Sequence, residues 1–348
     1  MWLENRIFEE DLQYINSVDF VDWSKLENKT VLITGATGLI GYYFTSALLY
    51  RNLKFNSNIN VIALVRDIDK AYSMFSEQMR VDCGISFVVG EIENLPDIEE
   101  DIDYIVHGAS PTASNFFVEQ PVETIKIAVK GTINMLELAK DKKVKGFAYL
   151  SSMEVYGAPH TEDLISEVYG TTVYTMSVRS CYPEAKRMCE SLCASYASEY
   201  GVPANVIRLA QTFGPGVPVN DNRVFAEFAR CALQNKDIVL QTAGTSKRCY
   251  LYNADAVTAI LSVLLCNKYS EAFNAANSKT YCSIVEMANM VAKELGEVKI
   301  KVRVPTDGKH EQKFSPPHLL KLDSSKLEAM GWKATRNLKE MYERMIGC

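Results

Sequence analysis

The stretch spanning residues 30–41, TVLITGATGLIG, constrains this chain more than any other. Val31, Leu32 and Ile33 form a short apolar run of the kind a buried parallel strand carries. Gly35, Gly38 and Gly41 follow, and Leu39, Ile40, Phe44, Leu48 and Leu49 recur at helical spacing behind them. The expected local structure is strand, tight turn, helix. The first turn of such a helix presents unpaired N–H groups and a partial positive charge, which together hold a pyrophosphate. Gly35 permits the turn, Gly38 lets backbone approach the phosphates, and Gly41 lets the helix close on the strand. Thr37, Leu39 and Ile40 complete this candidate cofactor loop.

The bulk properties narrow the function classes. With 348 residues the chain can bury a full core in one large or two modest domains. Its 37 basic and 43 acidic residues, net −6, argue against nucleic acid or an anionic membrane as the main partner. The acidic opening MWLENRIFEEDL lacks the apolar core of a signal peptide, and the apolar run 256–266 is too short to span a bilayer. A cytoplasmic location is therefore expected. The 9 cysteines include no CxxC pair and read as reduced thiols; the 4 dispersed histidines give no zinc pattern, so no metal is expected.

Along the chain, residues 1–29 form an N-terminal extension with an expected helix near 7–15 packed on the outside. Further strands are expected at 60–65, 86–89, 104–107 and 147–150, with a long helix over 118–140 whose apolar positions include Ile125, Val129, Ile133 and Leu136. Alternation of this kind predicts an α/β fold, a Rossmann-type doubly wound parallel sheet with its ligand crevice at the carboxyl ends of the strands. The nucleotide-binding domain is expected over 30–212. A smaller C-terminal α/β substrate-binding domain is expected over 213–348, and the segments near 248–277 return to the first domain. The second strand ends Val65-Arg66-Asp67. An acid there would accept from an adenine-ribose 2′-hydroxyl, whereas Arg66 suits a 2′-phosphate or an adenine face. The cofactor is thus NAD(P), with NADP slightly favoured and NAD open, since Asp67 is adjacent. Gly108-Ala109-Ser110-Pro111 is a small-residue turn against which a cofactor can lie.

Tyr182 and Lys186 stand four apart, on one face of a helical turn. A free tyrosine, with pKa about 10, is roughly 0.1% ionised at neutral pH. A neighbouring ammonium and a positive nicotinamide ring favour the phenolate, so that Tyr182 takes a hydroxyl proton while hydride leaves the same carbon. Ser152, at the end of the fifth strand, can orient that hydroxyl.

These segments resemble the extended short-chain dehydrogenases/reductases of the epimerase/dehydratase family that act on nucleotide-linked sugars. The resemblance runs from Thr30 nearly to the C-terminus: GATGLIG, HGASPTAS (107–114), GTINMLELAK (131–140), SSMEVYG (151–157), SCYPEAKRMCE (180–190), RLAQTFGPG (208–216), NDNRVFAEF (220–228), the arginine segment 247–255 and LDSSKLEAMGW (322–332). Its closest texture is that of UDP-glucuronate decarboxylases. The resemblance implies Ser152, Glu154, Tyr182 and Lys186 as catalytic residues, Glu154 lying near the sugar's C5. It also implies Glu91 and Ile92 on the adenine side and Ala109 and Ser110 against the cofactor. Ser110, Pro111, Gln211, Arg223 and Arg248 are implied to meet the substrate, the two arginines gripping its diphosphate. Three departures bear on the reaction: Met153 stands where dehydratases place an acid, Gln211 where the family has asparagine, and Gly216 where decarboxylases have an arginine. The expected activity is oxidation of a nucleotide sugar at C4 and a reaction of the 4-keto sugar. Decarboxylation of a UDP-glucuronate type of substrate, or a silent dinucleotide sensor of the same fold, are the alternatives. Surplus apolar surface on the helices over 118–140 and 182–200 predicts a homodimer.

Overall fold

The structure is a computed structural model that describes residues 4–112, 114–170, 173–296, 300–304 and 318–348. Its strands are β1 (Thr30–Thr34), β2 (Asn60–Val65), β3 (Ile85–Val89), β4 (Tyr104–His107), β5 (Gly146–Ser152), β6 (Ala204–Leu209), β7 (Gln211–Phe213), β8 (Ile238–Val239), β9 (Lys247–Tyr252), β10 (Ala272–Ala275), β11 (Asn277–Ser283), β12 (Val302–Arg303) and β13 (Leu319–Leu320). The helices are α1 (Arg6–Ser17), α2 (Leu39–Phe55), α3 (Ile68–Met74), α4 (Glu77–Asp82), α5 (Ser114–Glu119), α6 (Pro121–Asp141), α7 (Cys181–Tyr200), α8 (Val224–Leu233), α9 (Asn253–Leu265), α10 (Ile284–Glu294), α11 (Ser325–Glu328) and α12 (Leu338–Gly347).

Seven strands form one parallel sheet in the order β10-β6-β5-β4-β1-β2-β3. Alternate residues of each strand serve different faces, as strand geometry requires. Val31, Ile33, Val61 and Ala63 join one apolar cluster with α1, α2 and α9; Leu32, Ile62 and Leu64 join another with α6 and α7. The sheet is thus sandwiched, which explains why its strands read as continuous apolar runs. After β3 the chain crosses back to the far side of β1, so β1 and β4 flank the switch point where an open α/β sheet leaves a crevice. β10 pairs with β6 in parallel and forms one edge of this sheet. A smaller sheet, β11-β9-β13 with β7 on β9, carries the second half.

Two expected elements differ. The helix over 118–140 is two helices, because Pro121 cannot donate to the preceding turn and instead opens α6 at its first position. The N-terminal helix is not a loose outer layer. Phe8, Leu12 and Ile15 are fully buried against α2 and α9, and Asp11 accepts from Tyr43, Tyr252 and Arg344, tying the start of the chain to its last helix.

Candidate active site

The glycine loop follows β1 directly. Gly35 adopts φ +79, and Gly38 caps α2, its N–H returning to the Gly35 carbonyl at 2.9 Å. A Cβ on Gly41 would stand 2.1 Å from the Gly35 oxygen, and one on Gly35 2.9 Å from the Gly108 carbonyl carbon. The loop therefore fits a dinucleotide: a helix N-terminus faces it, and side chains at two of its glycines would clash with backbone. Thr37, Leu39 and Ile40 lie on the same turn. The neighbouring turn is pinned to β1, for Thr34 Oγ1 accepts from the Gly108 and Ala109 amides at 3.2 and 3.1 Å. Ser110 and Pro111 continue it, half-buried.

At the end of β2, Arg66 is exposed. Asp67 is occupied as the N-cap of α3, accepting from the Lys70 amide at 2.9 Å, so it does not reach toward a ribose here. Glu91 is exposed, while Ile92 is buried over Gly131 of α6, a core position rather than an open wall.

The chemistry-bearing side chains meet where β5 ends and α7 begins. Tyr182 is 8% exposed and stacks on Phe117, ring centroids 4.3 Å apart. Ser152 lies beside the phenol, which it helps to lower, and accepts from the Glu154 amide at 3.2 Å. Lys186, 3% exposed, donates to the Leu150 carbonyl at 2.8 Å, with Nζ 5.9 Å from the Tyr182 ring centre. Lysine beside tyrosine is expected to favour the phenolate; here the balance runs the other way. Burial, and then the charge of Glu154, push the Tyr182 phenol well above its ordinary value, against the lowering by Ser152, Arg179 and Arg223. Burial brings Lys186 down to about 8, opposed by Cys189, Glu190 and Cys193. Met153 is buried in the core and presents nothing to the cleft.

Arg179 was not singled out by sequence reasoning, although it stands three residues before Tyr182. Its Nη2 donates to Glu154 Oε2 at 2.8 Å, and its guanidinium lies 4.8 Å from the Phe117 ring centre and 6.0 Å from that of Tyr182. Also unforeseen is the half-buried Arg208, which pairs with Glu190 through Nε and Nη2 and donates to the Tyr156 hydroxyl; Ser151 donates to the same carboxylate at 2.6 Å. This network braces α7 against β5 and β6 behind the catalytic turn.

The substrate-side residues come from the second half of the chain, and Arg223 stands near enough to the cluster to lower the Tyr182 phenol. Gln211 lies in β7. Arg223, the N-cap residue of α8, is held by Asp221 through Nε and Nη2. Arg248, in β9, donates to His318 Nε2 at 2.7 Å. Both guanidiniums are half-buried.

A nucleotide fold with a Ser, Tyr, Lys cluster at the switch-point crevice defines a short-chain dehydrogenase/reductase of the extended type. The family model of NAD dependent epimerases/dehydratases matches residues 31–276, and the chain belongs to that family. It is 30% identical over 276 residues to UDP-glucuronic acid decarboxylase 1 of Xenopus tropicalis, covering 78% of this chain but 62% of the relative's length. It is 28% identical over 314 residues to UDP-glucuronic acid decarboxylase 6 of Arabidopsis thaliana, covering 90% of this chain and 86% of that protein. Among solved structures, UDP-glucose 4-epimerase of Thermotoga maritima with UDP-glucose superposes with TM-score 0.73 at 20% identity, over 91% of this chain and 97% of that one. UDP-glucuronic acid 4-epimerase of Bacillus cereus with NAD gives 0.73 at 22%, with the same coverage of each chain.

Proposed function

We propose that the protein is an NAD(P)-dependent enzyme that oxidises a nucleoside-diphosphate-linked sugar at C4 and then acts on the 4-keto sugar. The observation that carries this reading is the convergence of Ser152, Tyr182, Lys186 and Glu154 at the end of β5, in a fold whose glycine loop has no room for side chains at Gly35 and Gly41. The loop of residues 35–41 and the turn of residues 108–110 hold the dinucleotide. The cofactor, when bound, supplies the hydride acceptor and a positive charge. Ser152 orients the C4 hydroxyl, Tyr182 takes its proton, and Lys186 contributes positive charge near the phenol. Arg223 and Arg248 exchange Asp221 and His318 for diphosphate oxygens, which match the guanidinium fork.

Oxidation at C4 acidifies the C5 hydrogen, and Glu154 is the carboxylate in place to move it. Buried Met153 stands where dehydratases place the acid that expels a C6 hydroxyl, which disfavours ordinary 4,6-dehydration. If the sugar carries a C6 carboxylate, the 4-keto compound is a β-keto acid and loss of carbon dioxide becomes the second reading; the named relatives favour it. The preference for NADP rests on exposed Arg66 and on Asp67 being committed to its cap. Homodimer formation rests on exposed Val122 and Ile125 of α6 and Met188 and Tyr200 of α7, two helices that pack side by side. Among the described residues no helix is long and apolar enough to cross a membrane; the cytoplasm, with its nucleotide sugars and dinucleotides, is the location this reading assigns.

Tyr182→Phe tests it. Dinucleotide binding should persist, while turnover of nucleotide sugars falls by about 10²–10⁴, the usual worth of general acid–base transfer. Full activity in that variant removes Tyr182 as the base.

A further inference from the structure

His107 is the last residue of β4, fully buried, and lies in register opposite Thr34, the last residue of β1. These are the two strands at the switch point. The imidazole bridges two hydroxyls: Nδ1 is 2.8 Å from Thr34 Oγ1, and Nε2 is 3.2 Å from Thr132 Oγ1 of α6. Thr34 Oγ1 accepts the Ala109 N–H and shares the Gly108 N–H with the Thr34 carbonyl oxygen, an acceptor role that directs its own hydrogen to Nδ1. Nδ1 is therefore the acceptor and Nε2 carries the proton, which it donates to Thr132. Thr132 in turn donates to Cys189 Sγ, and Cys189 to the Ala128 carbonyl. The run starts at two amides of the cofactor-side turn and ends inside the α6–α7 pair, with no group left over. Burial and the charge of Lys186 bring His107 down to about 3, so the imidazole stays neutral across the working range.

We propose that His107 is a positioning residue for the bound dinucleotide: as the Nε2–H tautomer it locks the Thr34 hydroxyl, and through it holds the Gly108–Ala109 backbone against the glycine loop. The closeness of that turn to the loop gives the lock its effect, since no room exists between Gly35 and Gly108 for even one added carbon. A turn that swings by a fraction of an ångström would close or open the cofactor crevice. The imidazole touches neither cofactor nor sugar; it acts through Thr34.

Calorimetric dissociation constants of the full-length protein for NAD, and separately for UDP as a probe of the substrate half, test this. Without the imidazole the Thr34 hydroxyl is free to turn and the Gly108–Ala109 backbone to shift from the glycine loop, so His107→Phe should weaken NAD by about tenfold, about 1.4 kcal/mol, with UDP unchanged. His107→Asn, which keeps an acceptor near the Nδ1 position, should recover most of that loss. Thr34→Val should weaken NAD as His107→Phe does, and the double variant should be no weaker than Thr34→Val, because the histidine acts only through that hydroxyl. Equal weakening of NAD and UDP, additive losses, or unaltered NAD affinity in His107→Phe would each overturn the proposal. If His107→Phe does not fold, nitrogen-15 spectra of the unaltered protein decide it: a protonated Nδ1 contradicts the lock, and a protonated Nε2 with an exchange-protected Ala109 amide supports it.

Discussion

Arg179 and Glu154, 25 residues apart in the chain, form an ion pair at 2.8 Å directly beside the buried phenol of Tyr182. The arginine also lies over the Phe117 ring that stacks on that phenol, so one guanidinium touches both the carboxylate and the aromatic wall. The pair is about one-third exposed on each side, open to the cleft rather than sealed in the core. Glu154 is thereby held at a fixed place relative to Tyr182, which its proposed action at C5 requires.

Glu154→Gln should leave hydride transfer intact and stop the following step. Glutamine keeps the size of the side chain but cannot accept a proton as a carboxylate does. Reduced cofactor would accumulate, visible in the near ultraviolet, and solvent deuterium would no longer enter C5. Arg179→Gln should slow C5 exchange more than it slows oxidation. Normal turnover of Glu154→Gln, with no deuterium at C5 in either form, would make the reaction a plain C4 epimerisation.

Lys186 gives a pH dependence with a definite sign. Burial lowers its folded-state value to about 8, below an unfolded value of about 10.4. Above pH 8 the native lysine loses its proton while the unfolded chain still holds one, so stability rises with pH between these values. Activity should move oppositely, falling as the positive charge near Tyr182 is lost. Stability by urea titration and kcat, both followed from pH 7 to about 10, check the two trends; Lys186→Met should flatten both. An unchanged stability slope in that variant would mean that Lys186 does not titrate there.

The clasp between the ends of the chain is a stability prediction. Asp11 is buried and accepts from Arg344 at 2.8 Å and from the Tyr252 hydroxyl at 2.5 Å. Removing the cation leaves a buried carboxyl with only phenols for partners. Arg344→Met should therefore cost about 3 kcal/mol in urea-induced unfolding. A loss under about 0.5 kcal/mol, the range of ordinary surface changes, would show that water replaces the arginine.

Gly41→Ala should abolish dinucleotide binding, or folding with it. The added carbon would lie 2.1 Å from the Gly35 carbonyl oxygen, and the first turn of α2 cannot retreat without opening the phosphate cradle. Calorimetry with NAD, paired with a thermal melt, distinguishes the two outcomes; tight binding by this variant would contradict the packing account.

Much of this architecture is legible in the sequence. Apolar runs bounded by glycine turns carry their own period, and the central strands 60–65 and 104–107 fall where that period places them. The spacing of Tyr182 and Lys186 is a helix property and is equally local. What the sequence hides is set by contacts between distant segments. Arg179 acquires its meaning from Glu154, across 25 residues and a reversal of chain direction. Lys186 reads as a partner of Tyr182, yet its ammonium goes to the Leu150 backbone, an acceptor that no side-chain pattern announces. Burial sets the phenol of Tyr182 higher than its cationic neighbours bring it down, and depth in a fold is not written in a four-residue spacing. Helix α1 looks like a solvated extension until Asp11 meets Arg344 from the far end of the chain.

The central claim is that this chain oxidises a nucleotide sugar at C4. Incubating the purified protein with NAD or NADP and a panel of nucleoside-diphosphate sugars, and reading the mass and C4 stereochemistry of each product, tests it most directly. The account predicts that at least one sugar is converted by the unaltered protein and left untouched by Tyr182→Phe. Its product mass would be unchanged for epimerisation, or lower by one carbon dioxide for a uronate. Tight dinucleotide binding with no sugar altered under any condition would contradict the account and leave a silent dinucleotide sensor in its place.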